Sequence, residues 1–326
     1  MSEQPGPEKK SNHYINPGQN PEEGSLQGGP GLREALRLFL FVFVLLLLAG
    51  SIVQAWHFEY GMIITQVILI LLPALWFWRR HGVNQVSFGR LNPLEGKFIP
   101  IIVLLSVSFW LFNIVFATGL VTVLMQFGYE PIVVLEPPQT FGEYIGYVMV
   151  LSVFAGICEE VLFRGTIMPA MEKEGLIPAI VFSSFLFALM HISFLNLIST
   201  FMLGLAMAVI MIKTGSLWGA ILFHMLNNFY AATYLYAAGQ VEAASFIEPS
   251  DLLVFLPILF ISLVGIWFGL NRLQSRSGVS PLLKRGESWL PKGWLSWPFF
   301  AGLFMFLVMA LLELAIGFKW INPASF

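Results

Sequence analysis

The residues with the clearest capacity for chemistry lie inside an otherwise apolar stretch, AGICEEVLFRG, at positions 155–165. Glu159, Glu160 and Arg164 stand there among residues that suit hydrocarbon, where each charge costs at least about 2.5–3.5 kcal/mol on insertion scales. In a helix, Glu160 and Arg164 lie four residues apart on one face and can neutralise each other. Glu159 is rotated by about 100° from Glu160 and is left for chemistry.

Two later apolar stretches carry further polar side chains, His191 in FALMH and His224 with Asn228 in HMLNN. His224 and Asn228 are four residues apart, so both can point at one atom. A carboxylate and a histidine can hold and deprotonate a water, while a second histidine and an amide can donate to a developing oxyanion. These residue types favour hydrolysis of an amide without a covalent enzyme nucleophile.

The elements that must position these residues are membrane helices. Of the 326 residues, 57% are hydrophobic and only 11% are charged, which is too apolar for a soluble domain of this length. We therefore expect an all-α polytopic membrane protein with eight or nine transmembrane helices, the fifth and sixth being the weakest. The apolar runs of suitable length cover 34–56, 61–78, 98–119, 143–171, 176–192, 195–212, 216–237, 252–271 and 296–318.

Helix geometry predicts that the polar residues share one depth. If the fourth span is helical to the end of its apolar pattern, Glu159 and Glu160 lie about 18–20 Å from that end. The fifth span starts on the same side and places His191 about 22 Å away. The seventh span places His224 about 14 Å and Asn228 about 20 Å away. Three helices thus bring polar side chains to a similar level, which predicts an intramembrane polar site.

Charge distribution predicts the orientation. The basic residues on one side of the predicted spans are Lys9, Lys10, Arg33, Arg37, Arg79, Arg80, Arg90, Lys97, Lys173, Lys213, Arg272, Arg276, Lys284, Arg285 and Lys292. The opposite side carries Glu59, Glu130, Glu136, Glu143, Glu242, Glu248 and Asp251, with Lys319 as its only basic residue. By the positive-inside rule the N-terminus is cytoplasmic and the C-terminus lies outside.

The distribution of charged residues also indicates which partners the protein binds. Basic inner loops would attract a substrate that ends in a carboxylate, so we expect a water-filled cavity that opens to the cytoplasm between spans four, five and seven. Phe187 and Ala220 are expected to face it. The other partner is the lipid bilayer, and a net charge of −2 without a basic cluster gives no indication of nucleic-acid binding. Compact loops favour a bacterial plasma membrane, and the oligomeric state stays open.

Three motifs in order, EEVLFR (159–164), FALMH (187–191) and HMLNN (224–228), each fall inside a predicted span. They resemble the EExxxR, FxxxH and HxxxN pattern of the CPBP family (CAAX protease and bacteriocin-processing) of intramembrane proteases. That family includes the type II CAAX prenyl endopeptidases. The resemblance covers about residues 141–235, and the rest of the chain offers no family-specific motif.

The resemblance implies an endopeptidase whose six site residues have three roles: a general base (Glu159) with a histidine that helps to hold the water (His191), two oxyanion donors (His224 and Asn228), and a supporting ion pair (Glu160 and Arg164). Phe187 is implied as a packing member of the site. Asn227 is left out because it faces about 100° away from Asn228. Glu313, in the last span, is expected only to reach the membrane interface.

The expected organisation has four parts. They are a disordered cytoplasmic tail at 1–31, N-terminal transmembrane helices at 32–140, a CPBP-type catalytic core at 141–240, and C-terminal transmembrane helices at 241–326.

The sequence also bears on other catalytic mechanisms and on other functions. An HExxH helix and a GxSxG elbow are both absent, and the lone Asp251 lies in an outer loop. No cofactor is expected, although two Glu, two His and an Asn could also ligate a divalent metal. The single Cys158 is expected to be a packing residue. A non-proteolytic protein of the same fold, such as a bacteriocin immunity partner or a proton-coupled transporter, is the alternative function, with the same residues as a relay or binding site.

Overall fold

The computed structural model describes residues 29–131, 135–240, 253–279 and 288–321, and within them all regular structure is helical. The fold class is therefore confirmed. The predicted disordered tail lies outside the described residues except for 29–31. In the described part of the chain, nine long helical segments follow one another: α1 Leu32–Trp56, α2 Phe58–Arg80, α3 Gly96–Met125, α4 Phe141–Glu174, α5 Leu176–Met190, α6 Leu197–Thr214, α7 Leu217–Gly239, α8 Leu253–Ser277 and α9 Trp297–Gly317.

Each of these helices corresponds to one of the nine predicted spans. Among the described residues, seven helices are long and apolar enough to cross a membrane: α1, α2, α3, α4, α6, α8 and α9. Helix α5 has 15 residues and is about 22 Å long, which is shorter than a hydrocarbon core of about 30 Å. Helix α7 is long enough, but it is more polar because it carries His224, Asn227 and Asn228. The chain is a multi-pass membrane protein.

One end of the bundle, here called the basic end, is held together by contacts between three loops. Arg90 donates to both carboxylate oxygens of Glu172, at 2.7 and 2.8 Å. The carbonyl of Arg90 also accepts from the backbone N–H of Leu217 at 2.8 Å. The hydroxyl of Ser216 donates to the carbonyl of Asn92 at 2.6 Å. The loop after α2 therefore clamps the end of α4 to the start of α7.

The opposite end, here called the acidic end, has its own cross-links. The backbone N–H of Glu130 donates to the carbonyl of Gly317 at 2.7 Å, which joins the end of α3 to the end of α9. Tyr144, near the start of α4, makes a hydroxyl–hydroxyl hydrogen bond of 3.0 Å with Thr233, near the end of α7. These contacts show that α4 begins where α7 ends, so the two helices run in opposite directions.

Helices α2 and α4 depart from regular α-helix next to the polar residues. π-Helical turns cover Thr65–Leu71 in α2, and Val148–Phe154 and Phe163–Ile167 in α4. The α-helical part of α4 between its two π turns, Ala155–Leu162, contains the adjacent glutamates. π Turns are rare and frequently mark functional sites, because the wider turn changes the direction of nearby side chains.

Small residues let the polar helices approach one another closely. A Cβ on Gly156 of α4 would lie 2.6 Å from Met225 Cγ of α7, where Ser152 also donates to the Met225 carbonyl at 2.7 Å. A Cβ on Gly204 of α6 would lie 2.9 Å from Ser184 Cβ of α5. Close backbone approach at small residues is typical of helices that pack inside membranes. Here it brings α4 to α7 and α5 to α6.

The basic-end clamp gives a first prediction. Because the Arg90–Glu172 pair is bidentate and its side chains are only 24% and 25% exposed, a double-mutant cycle with Arg90→Ala and Glu172→Ala should show a coupling of about 1–3 kcal/mol. The Lys97–Glu95 pair is 44% and 50% exposed and should show only about 0.2–1 kcal/mol. The measurement is unfolding in detergent, and equal coupling for the two pairs would contradict the prediction.

Candidate active site

A cavity of about 400 Å³ lies among α2, α4, α5, α6 and α7. Four of the six predicted site residues line it: Glu159, His191, His224 and Asn228. The other two, Glu160 and Arg164, have no exposed surface and lie beside the cavity. The structure therefore brings the predicted residues together as a lining and a buried support. Their chemical roles stay predictions.

The predicted base, Glu159, has a partner that sequence reasoning missed. Gln66 of α2 donates from Nε2 to Glu159 Oε1 at 2.8 Å. Gln66 is only 3% exposed, and its Oε1 is buried without a hydrogen-bond partner in the described part of the chain. Glu159 Oε2 makes no hydrogen bond to the described residues and so can face a ligand. The signal that could have found Gln66 is an isolated amide within an apolar span, where an unpaired polar group is costly.

Glu160 is the centre of a buried network. Its Oε1 accepts from Arg164 Nη1 at 2.9 Å and lies 2.9 Å from His224 Nδ1. Arg164 Nη2 donates to the carbonyl of Gly204 at 3.0 Å. The expected pairing of Glu160 with Arg164 is therefore present, and it extends to α6 and to a predicted oxyanion donor on α7. The carboxylate fixes the direction in which the His224 ring points.

Phe187 packs between the charged network and both histidines. Its ring lies 4.7 Å from the His191 ring and 5.9 Å from the His224 ring, in both cases edge to face. The guanidinium carbon of Arg164 lies 4.3 Å from the centre of the Phe187 ring, which is a cation–π contact. Phe187 is thus the packing member that the FxxxH motif predicted, and it also separates the buried charges from the cavity.

The hydrogen bonds of the two histidines indicate their tautomers. His191 Nδ1 lies 2.9 Å from the carbonyl of Phe187, and a carbonyl only accepts, so Nδ1 carries the hydrogen. In the neutral ring, Nε2 of His191 is then an acceptor. His224 Nδ1 faces the Glu160 carboxylate in the same way. Its Nε2 can donate only if both ring nitrogens carry hydrogens. The ring is then positively charged, and its charge lies next to the Glu160 carboxylate.

Both asparagines of the third motif line the cavity. Asn228 uses one amide hydrogen to donate to the carbonyl of Leu151, in the first π turn of α4, at 2.8 Å. Asn227 is only 6% exposed, and its Oδ1 is buried without a partner in the described part of the chain. The sequence left the place of Asn227 ambiguous, and the structure puts it in the cavity lining. Side chains 100° apart on α7 both reach this cavity because it borders a broad face of the helix.

The cavity does not extend mainly in the direction that we expected. Most of its lining residues lie between the polar cluster and the acidic end, and they include Leu135 in the loop before α4. Ala220, which was expected to face a cavity open to the basic side, is fully buried and does not line it. The expectation for Ala220 was wrong because the described interior between the cluster and the basic end is filled with side chains, while the side on which the cavity opens stays a prediction.

Glu313 holds the loop that follows His191. Its carboxylate accepts from Ser193 Oγ at 2.8 Å and from the backbone N–H of Phe194 at 2.6 Å. Ile192 lies in the left-handed region with φ of 56°, which costs energy for a β-branched residue. The expectation that Glu313 only reaches the interface was therefore incomplete. Helix α9 restrains a strained loop next to a predicted catalytic histidine.

A metal centre has no obvious ligand set. Within residues 29–131, 135–240, 253–279 and 288–321, no three or more His, Cys, Asp or Glu side chains are grouped to hold an ion. The acids and histidines of the site are instead paired with protein groups, Glu159 with Gln66 and Glu160 with Arg164 and His224.

The comparison with family models matches residues 141–230, which contain all three motifs. The matching family is described as Type II CAAX prenyl endopeptidase Rce1-like. The match assigns this segment to the Rce1-like family. The family predicted from the motifs is thereby confirmed, and with it a CAAX protease type of hydrolase at the level of the family. No curated protein and no solved structure matches the chain.

The Rce1-like segment extends from the start of α4 into α7 and contains all six predicted site residues. Gln66 and Glu313 lie outside it, in α2 and α9. The flanking helices therefore contribute side chains that contact the Rce1-like site directly.

The buried network gives a second prediction. Arg164→Ala should lower the yield of folded protein and its stability by about 3–5 kcal/mol, because the buried Glu160 carboxylate would lose its permanently charged partner and keep only His224, which is charged only when protonated. Arg79→Ala, at an exposed position of α2, is the matched control and should change stability by less than about 0.5 kcal/mol. Unfolding and size-exclusion profiles in detergent give the measurement. Unchanged stability of the Arg164 variant would show that the pair does not form.

The loop contact gives a third prediction. Glu313→Ala should speed amide exchange at Phe194 by about tenfold or more, since a hydrogen bond to a charged group contributes about 1.5–3 kcal/mol. Glu313→Gln keeps an acceptor and should show a smaller increase. Leu311→Ala, at a position of α9 that is 64% exposed, should leave exchange unchanged. Hydrogen exchange with mass spectrometry measures the exchange rate of the Phe194 amide in each variant. Equal rates in all variants would refute the contact between Glu313 and the loop.

Proposed function

We propose that this protein is an intramembrane endopeptidase that hydrolyses a peptide bond with a water activated by Glu159 and His191. The observation that carries the proposal is the convergence of Glu159, His191, His224 and Asn228 on one cavity. The Rce1-like match over the same segment supports the reaction class. The metal-independent mechanism, the residue roles and the plasma membrane location are parts of the proposal.

Glu159 is the general base. Gln66 holds Oε1 of the carboxylate at 2.8 Å and thereby restricts its rotation. Oε2 then accepts a hydrogen from the water. His191 donates from Nδ1 to the Phe187 carbonyl, so its Nε2 can accept the second hydrogen of the same water. Two acceptors from different helices orient the water oxygen toward the substrate carbonyl.

His224 and Asn228 stabilise the oxyanion. Asn228 has two amide hydrogens, and donation to the Leu151 carbonyl uses one of them. The second hydrogen remains for the substrate oxygen. His224 supplies the other hydrogen bond from Nε2 in its doubly protonated form, with Glu160 as counter-ion on the Nδ1 side. Donors held in advance act most strongly in a site that excludes water.

One hydrogen of the water moves twice during the reaction, first to Glu159 and then to the leaving nitrogen. The water oxygen attacks the carbonyl carbon while its hydrogen passes to Glu159, and the carbonyl electrons move to the oxygen. The tetrahedral intermediate collapses, the C–N bond breaks, and Glu159 returns the hydrogen to the leaving nitrogen. The products are a carboxylic acid and an amine, and the acid then loses its proton to the amine or to solvent. No covalent enzyme intermediate forms.

The proposed base can be tested directly. Glu159→Gln should lower hydrolysis by at least about 10²-fold, because general-base catalysis contributes about 10²–10⁴-fold. Thermal stability should be retained, since the amide still offers an oxygen to Gln66. Glu95→Gln, which changes an exposed charge at the basic end, is the control and should keep full activity. The measurement compares new peptide termini by mass spectrometry in membranes that contain either variant or the unchanged protein.

The same experiment tests the alternative and the role of metals. Hydrolysis products that persist in a folded Glu159→Gln variant would remove Glu159 as the base. A phenotype that depends on Glu159 while no cleavage product depends on it would instead support an immunity or transport function. Activity that survives a membrane-permeant chelator is expected, because Glu159 and His191 activate the water without an ion.

A further inference from the structure

The cavity is lined mainly by the parts of its helices that lie toward the acidic end. On α4 its lining runs from Glu159 back to Leu151, and on α7 it runs from Phe223 onward to Leu235. Helix α5 contributes only Phe187 near its end and His191 directly after it. Most of these residues lie nearer the acidic end, and none belongs to the first six residues of α7. The cavity therefore extends from the polar cluster mainly toward the acidic end.

The other two helices show the same asymmetry. The α2 residues that line the cavity are Met62 and Gln66, in the first half of a helix that starts at Phe58. The α6 residues lie between Thr200 and Met207, in a helix that starts at Leu197. Both helices begin at the acidic end and finish at the basic end. Most of the lining that these five helices contribute thus lies on the acidic-end side of the site.

The path toward the basic end is closed by packed side chains. On α4, Phe163, Ile167 and Met168 are at most 1% exposed. On α7, Leu217 and Ala220 have no exposed surface. Water and substrate would have to displace this interior to reach Glu159 from the basic end. Toward the acidic end, the cavity lining reaches Leu135 in the loop before α4 and Leu235 near the end of α7.

The rim of the cavity at the acidic end, here the described residues around Leu135, carries two exposed glutamates. Leu135 lines the cavity, and the next residue, Glu136, is exposed. Tyr147 of α4 donates to the carbonyl of Glu136 at 3.1 Å, which fixes this part of the loop beside the start of α4. Glu143, in the first turn of α4, is exposed as well. A free carboxylate that approached here would meet charges of its own sign, whereas a cationic side chain would be attracted.

We propose that the site admits its substrate from the acidic end, which the positive-inside rule makes the non-cytoplasmic face. The substrate class is a peptide segment of a protein at that face, with lysine or arginine side chains near the bond that is cut. A chain whose free terminal carboxylate lies next to that bond is disfavoured. This inference rests on the proposed function for the reaction itself, but the access route is tested without any turnover.

Cysteine labelling tests the access route. The only native cysteine is replaced in a Cys158→Ala background. Leu151→Cys and Ala155→Cys place a thiol in the cavity, Gln126→Cys marks the acidic end and Ser87→Cys marks the basic end. Membrane-impermeant thiosulfonate reagents are applied to intact cells and to inside-out vesicles. Both cavity thiols should react from the same side as the Gln126 variant, and that side should be the outside of intact cells.

The charge of the rim is tested with the same variants. For each thiol, the rate of reaction with a cationic thiosulfonate is divided by the rate with an anionic one. This ratio should be about tenfold higher for the Leu151→Cys thiol than for the exposed thiol of the Ser87→Cys variant. Raising the salt concentration should reduce that ratio. An equal ratio at both positions would overturn the preference for a cationic substrate.

Three outcomes would overturn the access route. They are reaction of the cavity thiols from the Ser87 side, reaction from neither side while the denatured protein reacts fully, and cytoplasmic exposure of the Gln126 marker. None of them affects the Glu159→Gln experiment. Conversely, a protein that cleaves nothing could still label from the acidic end, so the failure of the proposed function and the failure of this inference are distinguishable.

Discussion

One carboxylate oxygen, Glu160 Oε1, joins the helices that form the site. It accepts from Arg164 and faces the ring of His224, with no exposed surface on either residue of the ion pair. Desolvation makes such a pair costly unless its partners are held in good geometry. Arg164 also donates to the carbonyl of Gly204, so the network ties α4 to α6 and α7. The position of His224 at the cavity depends on this arrangement.

The Rce1-like segment is supported by helices outside the family match. Gln66 in α2 restrains the predicted base, and Glu313 in α9 restrains the loop after His191. Both contacts act on side chains or backbone at the site rather than on distant packing. A catalytic group must be held within about 0.5 Å of its working position. The flanking helices therefore belong to the site's support, although they carry no motif of the family.

Chemistry and access have different physical origins in this protein. The chemistry depends on a few polar side chains at one level of the bundle. Access depends on which interhelical spaces are filled, and here Phe163, Ile167 and Leu217 fill the side toward the basic end. Loop charge alone pointed to the basic side, because it describes attraction at a distance and not the packing that a substrate must pass.

The helical fold, the membrane class and the Glu160–Arg164 pair follow from the sequence, because hydropathy and i, i+4 spacing are local properties of single helices. The Gln66–Glu159 contact joins residues 93 positions apart, and the Glu160–His224 contact joins residues 64 positions apart. Which of many polar groups meet at such separations depends on how the helices rotate and pack. The same packing decides that Asn227 reaches the cavity, and that the cavity extends to the acidic end.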